Sequence, residues 1–316
     1  MALGGAGLTG LAAGGSYLAF RQGLLVDPIP MVAPGVATAA AMITVLFVEG
    51  RRVQTRLRAS LDEERLSAAK IAGEMSAASE IQSGMLLPRE ALRKVTGAVE
   101  IDAVLQPAKS VGGDLYDAFM IDPGRLCFLV GDVTGKGVPA SLFMALSKAL
   151  SRSFLMRPEM GLDEALDGIN AELSRDNGQM MAVSLLVGVL NLATGDLDLL
   201  SAGHENPFLI GVDGKVGELK LEGGPALCVV DGFPYPVERH RLAPGEALIC
   251  FTDGVTEAQD PKGGLFDRDR AMAVLAGGQG KPLAEVVDGL VAAIRAFEAG
   301  GEPSDDLTVL AVRRRA

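Results

Sequence analysis

The spacing of apolar and polar positions changes character twice along the chain. Ala2 to Phe20 carries no charged residue, and neither does Ile29 to Val48. Each stretch is close to the ~20 residues that a membrane-spanning helix needs. Arg51, Arg52, Arg56 and Arg58 follow the second stretch, and basic clusters of this kind flank the cytoplasmic end of a span. Residues 1–49 are therefore expected to form two transmembrane helices with a short loop. The chain would sit in the cytoplasmic (inner) membrane, with its C-terminal bulk in the cytoplasm. A signal peptide or buried core helices is the competing reading, but a signal peptide is not followed by a second uncharged stretch and an arginine cluster.

From residue 50 the rhythm becomes helical. Leu57, Leu61, Ala68, Ile71, Met75, Ala78 and Met85 recur at steps of three and four, interrupted by Glu64 and Gln82. This is an a/d seam with small and polar members. Residues 50–88 are expected to form a helical linker, either lying on the following domain or pairing as a homodimeric signalling helix. Pro88 ends it.

Residues 89–316 carry shorter periods. "VEIDAVLQPA", "RLCFLVGDV", "MAVSLLVGVLNLATGDLDLLSAG", "EALICFTDG" and "DDLTVLAVR" read as strands, one pair being joined through Ala193-Thr194-Gly195-Asp196. Val138–Leu155, Leu162–Leu173 and Leu283–Phe297 read as helices. Regular strand–helix alternation is missing and a hairpin is present, so the expected class is α+β, a layered sandwich.

Composition narrows the function classes. Of 316 residues 48% are hydrophobic, enough for a large core, and the net charge is −11. That balance argues against a nucleic-acid binder, which presents a basic face to phosphates. Cys127, Cys228 and Cys250 lie far apart within apolar runs. They read as buried thiols in a reducing compartment, with no zinc-type pairing.

The glycine-rich turn in "LVGDVTGKGVPA" is not a phosphate-binding loop. Only three residues separate Gly131 from Gly135, and Gly137 stands where a Ser or Thr hydroxyl is required. It lacks the dinucleotide fingerprint as well. What stands out instead is Asp132, closing a strand. Asp114 follows two glycines in "SVGGDLYDAF", Asp253 closes the run Ala247 to Phe251, and Asp305-Asp306 open the last strand. Four strands thus present an aspartate at or near an end. Carboxylates gathered in this way repel one another unless cations hold them, and hard oxygen ligands suit magnesium or manganese. With only His204 and His240 in the chain, the usual zinc chemistry is short of ligands. No Ser-His-Asp order or Gly-x-Ser-x-Gly elbow appears either. Phe251 stands where a haloacid-dehalogenase-type phosphatase would need its nucleophilic aspartate. His204 reads as a turn residue.

"VGGDLYDAF", "GDVTGKGVPASLFM", "SAGHENPFLI", "FTDGVTEAQD" and "SDDLTVLAV", in this order and preceded by "ASEIQSGMLLP", resemble the SpoIIE/RsbU-type branch of the protein phosphatase 2C-like serine/threonine phosphatases. The resemblance covers roughly residues 75 to 315. It implies an α/β/β/α sandwich holding two divalent cations, Mn2+ or Mg2+, between its sheets. By motif, Asp114, Asp132, the Val133 carbonyl and Asp253 would be ligands. Asp305 aligns best in the last motif, with Asp306 as a substitute, and Lys136 receives no role. Catalysis would then need no protein nucleophile. The implied partner is a phosphorylated anti-sigma-factor antagonist of the STAS type in a partner-switching pathway. The alternative is a catalytically silent, membrane-tethered module that binds a phosphoprotein or an anti-sigma factor. The N-terminal stretches resemble the membrane tail of sensor-bearing members, whose sensing region would precede residue 1, so a shortened or reduced member is expected.

Overall fold

The computed structural model describes residues 29–315 and, before them, only Gly14, Tyr17, Leu18, Arg21 and Gln22. The first uncharged stretch therefore lies largely outside the described residues. The chain divides into two units, Met1–Gly73 and Glu74–Ala316.

In the first unit, one helix, α1 (Ile29–Met85), begins and runs on past Gly73. Val36, Ile43, Leu46 and Phe47 are exposed on it, as are Leu57, Leu61 and Ile71 of the seam. Among the described residues no helix is long and apolar enough to cross a membrane. The expected second span, Ile29 to Val48, is thus not supported as such; the helix that contains it runs on without a break through the charged Glu49, Arg51 and Arg52.

The second unit holds the remaining elements. After the short α2 (Arg89–Leu92) come β1 (Val99–Gln106), β2 (Leu115–Asp122) and β3 (Arg125–Val133). Next are α3 (Val138–Leu155), α4 (Leu162–Arg175), β4 (Val183–Asn191), β5 (Asp196–Ala202), β6 (Phe208–Ile210) and β7 (Val216–Glu218). The last are β8 (Glu238–Arg241), β9 (Ala247–Phe251), α5 (Asp267–Ala276), α6 (Leu283–Glu298) and β10 (Leu307–Arg314). The three helices read from periodicity are all present, within two residues at each end. The short strands β6, β7 and β8 and the polar helix α5 carry too little pattern to be read from the sequence.

Ten strands form two five-stranded antiparallel sheets, ordered β1-β10-β9-β6-β7 and β2-β3-β4-β5-β8. Period-2 alternation explains how they stack. Along β3, Leu126, Phe128 and Val130 face Leu248, Cys250, Leu310 and Val312 of the other sheet in one buried cluster. The intervening Cys127 and Leu129 pack instead with Met144, Leu166 and Ile169 of α3 and α4. On the other side Ile249, Phe251, Val309 and Ala311 pack with Val287, Leu290 and Ile294 of α6. Because both faces of both sheets are apolar, each sheet must be covered twice. The result is the expected α/β/β/α sandwich. Of the three cysteines, Cys127 and Cys250 are buried, while Cys228 is only half-buried and has a left-handed φ of 69°.

Candidate metal centre

The same alternation builds the site. The inner face of β3 is made by residues 126, 128 and 130, so residue 132 continues it just where the chain leaves the sheet. Residue 114 precedes Tyr116 and Ala118 of β2 in the same way, and β2 pairs with β3 through Leu115 and Gly131. On the second sheet the inner positions of β9 and β10 run to Thr252 and Thr308, and Phe251 pairs with Val309. The four aspartate-bearing ends therefore meet at one end of the gap between the sheets.

Contacts there are specific. Asp114 is 2% exposed. Its Oδ2 accepts from the Thr252 hydroxyl at 2.7 Å and from the Thr308 hydroxyl at 2.5 Å. Asp306 is 8% exposed, and both of its oxygens are engaged: Oδ1 accepts from the Ala108 N–H at 2.8 Å and Oδ2 from the Gly113 N–H at 2.7 Å. It fixes the backbone that leads into Asp114. Asp305 is more open, and its Oδ2 accepts from Lys136 Nζ at 2.9 Å. The Lys136 ammonium also donates to the Ser304 carbonyl at 2.8 Å. A Cβ on Gly113 would fall 2.7 Å from the Val133 carbonyl oxygen and one on Gly254 would fall 1.9 Å from the Asp306 carbonyl. Only glycine lets these loops approach so closely. Gly135 and Gly137, with φ of 93° and 79°, turn the chain from Asp132 into α3. Conformation, not phosphate binding, accounts for these two glycines.

Crowding sets the charge state. Burial holds the Asp114 carboxyl well above the usual carboxylate range, and the neighbouring Asp132 adds to this against the two threonine hydroxyls. Asp132 is pushed up to about 7, by burial first and then by Asp253 and Asp305. Asp253 is raised by burial, Asp305 and Glu257. Groups that resist ionising together in this way are poised for an external cation.

Among the described residues, no three His, Cys, Asp or Glu side chains stand close enough to hold a metal by themselves. The donor set nonetheless fits a hard divalent cation. It consists entirely of carboxylate and carbonyl oxygens, the glycine cradle leaves the Val133 carbonyl approachable, and such ions keep several waters in their shell. All five aspartates named from the sequence are brought to one end. Asp306 differs from the rest in having both carboxylate oxygens committed to backbone N–H groups, whereas Asp305 accepts from the Asp306 N–H at 2.9 Å through Oδ1 and pairs with Lys136 through Oδ2.

Three contributors escape a reading of charge pattern: Thr252, Thr308 and Gln82. The Gln82 amide donates to the Gly112 carbonyl at 2.6 Å and accepts from the Gly112 N–H at 3.1 Å. Inner-face parity could have picked out the threonines, and Gln82 was visible only as a polar interruption of an apolar seam. His204 is a buried turn residue after β5. Its Nδ1 lies 2.8 Å from the Ser184 hydroxyl, and burial lowers the imidazole to about 4.

The family model described as Stage II sporulation protein E (SpoIIE) matches residues 122–315. Protein IcfG of Synechocystis sp. is 31% identical over 242 residues, covering 68% of this chain and 38% of its own. Phosphoserine phosphatase RsbU of Bacillus subtilis is 28% identical over 202 residues, covering 62% of this chain and 57% of its own. The chain therefore spans less than two thirds of the length of either relative. The SiaA-PP2C domain of Pseudomonas aeruginosa superposes with a TM-score of 0.68 at 24% identity, covering 78% of this chain and 98% of that domain. Motif order, sandwich topology and the convergence of aspartates agree with these matches: the chain belongs to the SpoIIE family and has its protein phosphatase 2C-like fold.

Proposed function

We propose that this chain is a metal-dependent protein phosphatase acting on phosphoserine or phosphothreonine. The observation that carries the reading is the gathering of carboxylates with raised proton affinity at one end of the sandwich, with no nucleophilic cysteine, serine or histidine in the constellation. Asp114, Asp132, the Val133 carbonyl, Asp253 and Asp305 would hold two divalent cations, Mn2+ or Mg2+. Such ions supply Lewis-acid charge that acidifies a water and offsets phosphoryl charge. The chain's own residues orient the donors. Thr252 and Thr308 fix the Asp114 carboxylate, and Asp306 fixes the loop from Ala108 to Gly113 behind it. Asp306 is thereby assigned to positioning and Asp305 to the cation.

RsbU is named a phosphoserine phosphatase, which supports a phosphoserine protein as substrate here. By the family resemblance, the substrate is an anti-sigma-factor antagonist of the STAS type in a partner switch. We place the domain in the cytoplasm beside the membrane, with the N-terminal helix associating with it through exposed residues such as Val36, Ile43, Leu46 and Phe47. The exposed seam at Leu57, Leu61 and Ile71 would join two copies.

The test is hydrolysis of an aryl phosphate and of a phosphoserine STAS protein by the full chain, with Mn2+, with Mg2+ and with EDTA. Turnover that needs a divalent cation and disappears in Asp132→Ala is the expected result. A partner-binding chain without turnover under any of these conditions refutes the enzyme reading. Membrane recovery of the full chain, and its sedimentation with Ile71→Glu, test the tether and the dimer.

A further inference from the structure

Lys136 sits in the turn between Asp132 and α3, and its ammonium is the one cation hydrogen-bonded to any of the five aspartates among the described contacts. It makes two contacts, to Asp305 Oδ2 at 2.9 Å and to the Ser304 carbonyl at 2.8 Å. Asp253 and Asp306 act on it electrostatically as well. Neither partner is deeply buried, with 49% of the lysine side chain and 37% of the Asp305 side chain exposed. An ammonium and a divalent cation cannot both take the same carboxylate oxygen lone pair at close range without repulsion.

We propose that Lys136 is a tethered competitor for the cation at Asp305: it holds that carboxylate until a divalent ion displaces it, and once displaced it stands as a free ammonium for the substrate's phosphoryl group. This rests on the metal-dependent reading above. The glycines on either side of Lys136, Gly135 and Gly137, have positive φ and open space where a Cβ would be. Nothing crowds the lysine from these two positions, and a flexible four-carbon stem lets the charge swing.

Two effects of opposite sign follow from neutralising the lysine. Mn2+ binds more tightly, because nothing must be displaced and no positive charge stands beside it. Phosphosubstrate binds more weakly, because the displaced ammonium is gone. An exposed ion pair is worth up to roughly 1 kcal/mol, so the first effect is expected to be about two- to five-fold.

The experiment is Mn2+ titration calorimetry on the full chain for wild type, Lys136→Met, Lys136→Arg and Asp305→Asn, with KM for a phosphoserine peptide measured at saturating Mn2+. The proposal expects tighter Mn2+ binding and raised KM in Lys136→Met, with Lys136→Arg close to wild type in both. Combined with Asp305→Asn, Lys136→Met should lose its effect on Mn2+ affinity. Equal or weaker Mn2+ binding in Lys136→Met overturns the lysine's role while leaving the phosphatase reading intact. Absence of Mn2+ binding by wild type overturns both.

Discussion

Gly254→Ala tests whether the close approach of two loops builds the site. Gly254 lies in the turn after β9, one residue beyond Asp253, and a Cβ there would fall 1.9 Å from the Asp306 carbonyl oxygen and 2.8 Å from its carbonyl carbon. Real Cβ atoms essentially never come within 3.0 Å of such atoms, so one segment must retreat by about 1 Å. Neither can do so cheaply. The turn is tied by the Val255 N–H to the Thr252 carbonyl at 3.0 Å, and the opposite strand by the Thr252 N–H to the Thr308 carbonyl at 3.1 Å. Overpacking against backbone costs about 1–3 kcal/mol. In a unit of this size each kcal/mol lowers Tm by roughly 2–4 °C, so a fall of roughly 2–12 °C is expected by differential scanning calorimetry. The strain acts on the two carboxylates that must face one another, Asp253 and Asp305. A shift of about 1 Å can cost on the order of 100-fold in rate, and Mn2+-dependent hydrolysis should fall accordingly even below the variant's Tm. A variant that keeps wild-type Tm and wild-type turnover would show that the contact between these loops is not what sets the site.

Thr308→Val removes one of two hydroxyl donors to Asp114 with little change of shape. Hydrogen bonds to charged groups are worth about 1.5–3 kcal/mol, and these bonds favour the ionised form. Mn2+ affinity should therefore drop, and more at pH 6 than at pH 8; calorimetric titrations with equal losses at both would refute this. Asp132→Asn deletes a charge that Asp253 and Asp305 repel. Its metal-free unfolding temperature should equal or exceed that of wild type, while Mn2+ no longer raises it. The opposite pattern would mean that Asp132 is a structural carboxylate. For pH dependence, Asp132 is raised in the folded state to about 7 from 3.8, so between those values the folded chain keeps a proton that the unfolded chain has released. Its contribution to metal-free stability is full below about 4, declines as pH rises and levels off above about 7. With Mn2+ present the trend should reverse, since protons compete with the ion. Thermal melts in EDTA and in Mn2+ from pH 5 to 8 check both signs.

How much of this was legible in the sequence varies with the kind of signal. Helices α3, α4 and α6 were readable because each must cover a sheet and so carries a full apolar stripe. β3, β4, β5, β9 and β10 were readable because both faces are buried. β6 and β7, at three residues each, and β8, polar throughout at the sheet edge, hold too few apolar positions to register. The aspartates were visible because carboxylates at strand ends are costly without a purpose. Their division of labour came only from the family resemblance, which aligned Asp305 with the cation and kept Asp306 as a substitute. Asp305 and Asp306 are adjacent and chemically identical, and only the backbone N–H groups of Ala108 and Gly113, nearly 200 residues earlier in the chain, separate them. Lys136 was equally silent, since its partner lies across the fold.

The pairing of β1 with β10 has a consequence for how the molecule comes into being. Val99 lies opposite Arg314 and Gln106 opposite Leu307, so the first strand of the domain waits for the last across roughly 200 residues, a loop closure that slows folding. At about 5–20 residues per second of synthesis, that wait is about 10–40 s. Strands β2 to β5 are consecutive neighbours in their own sheet and can assemble meanwhile, bringing Asp114 and Asp132 together. Asp305 arrives only as β10 is inserted. A chain still being translated is therefore expected to carry half of the carboxylate cluster until β10 locks both sheets.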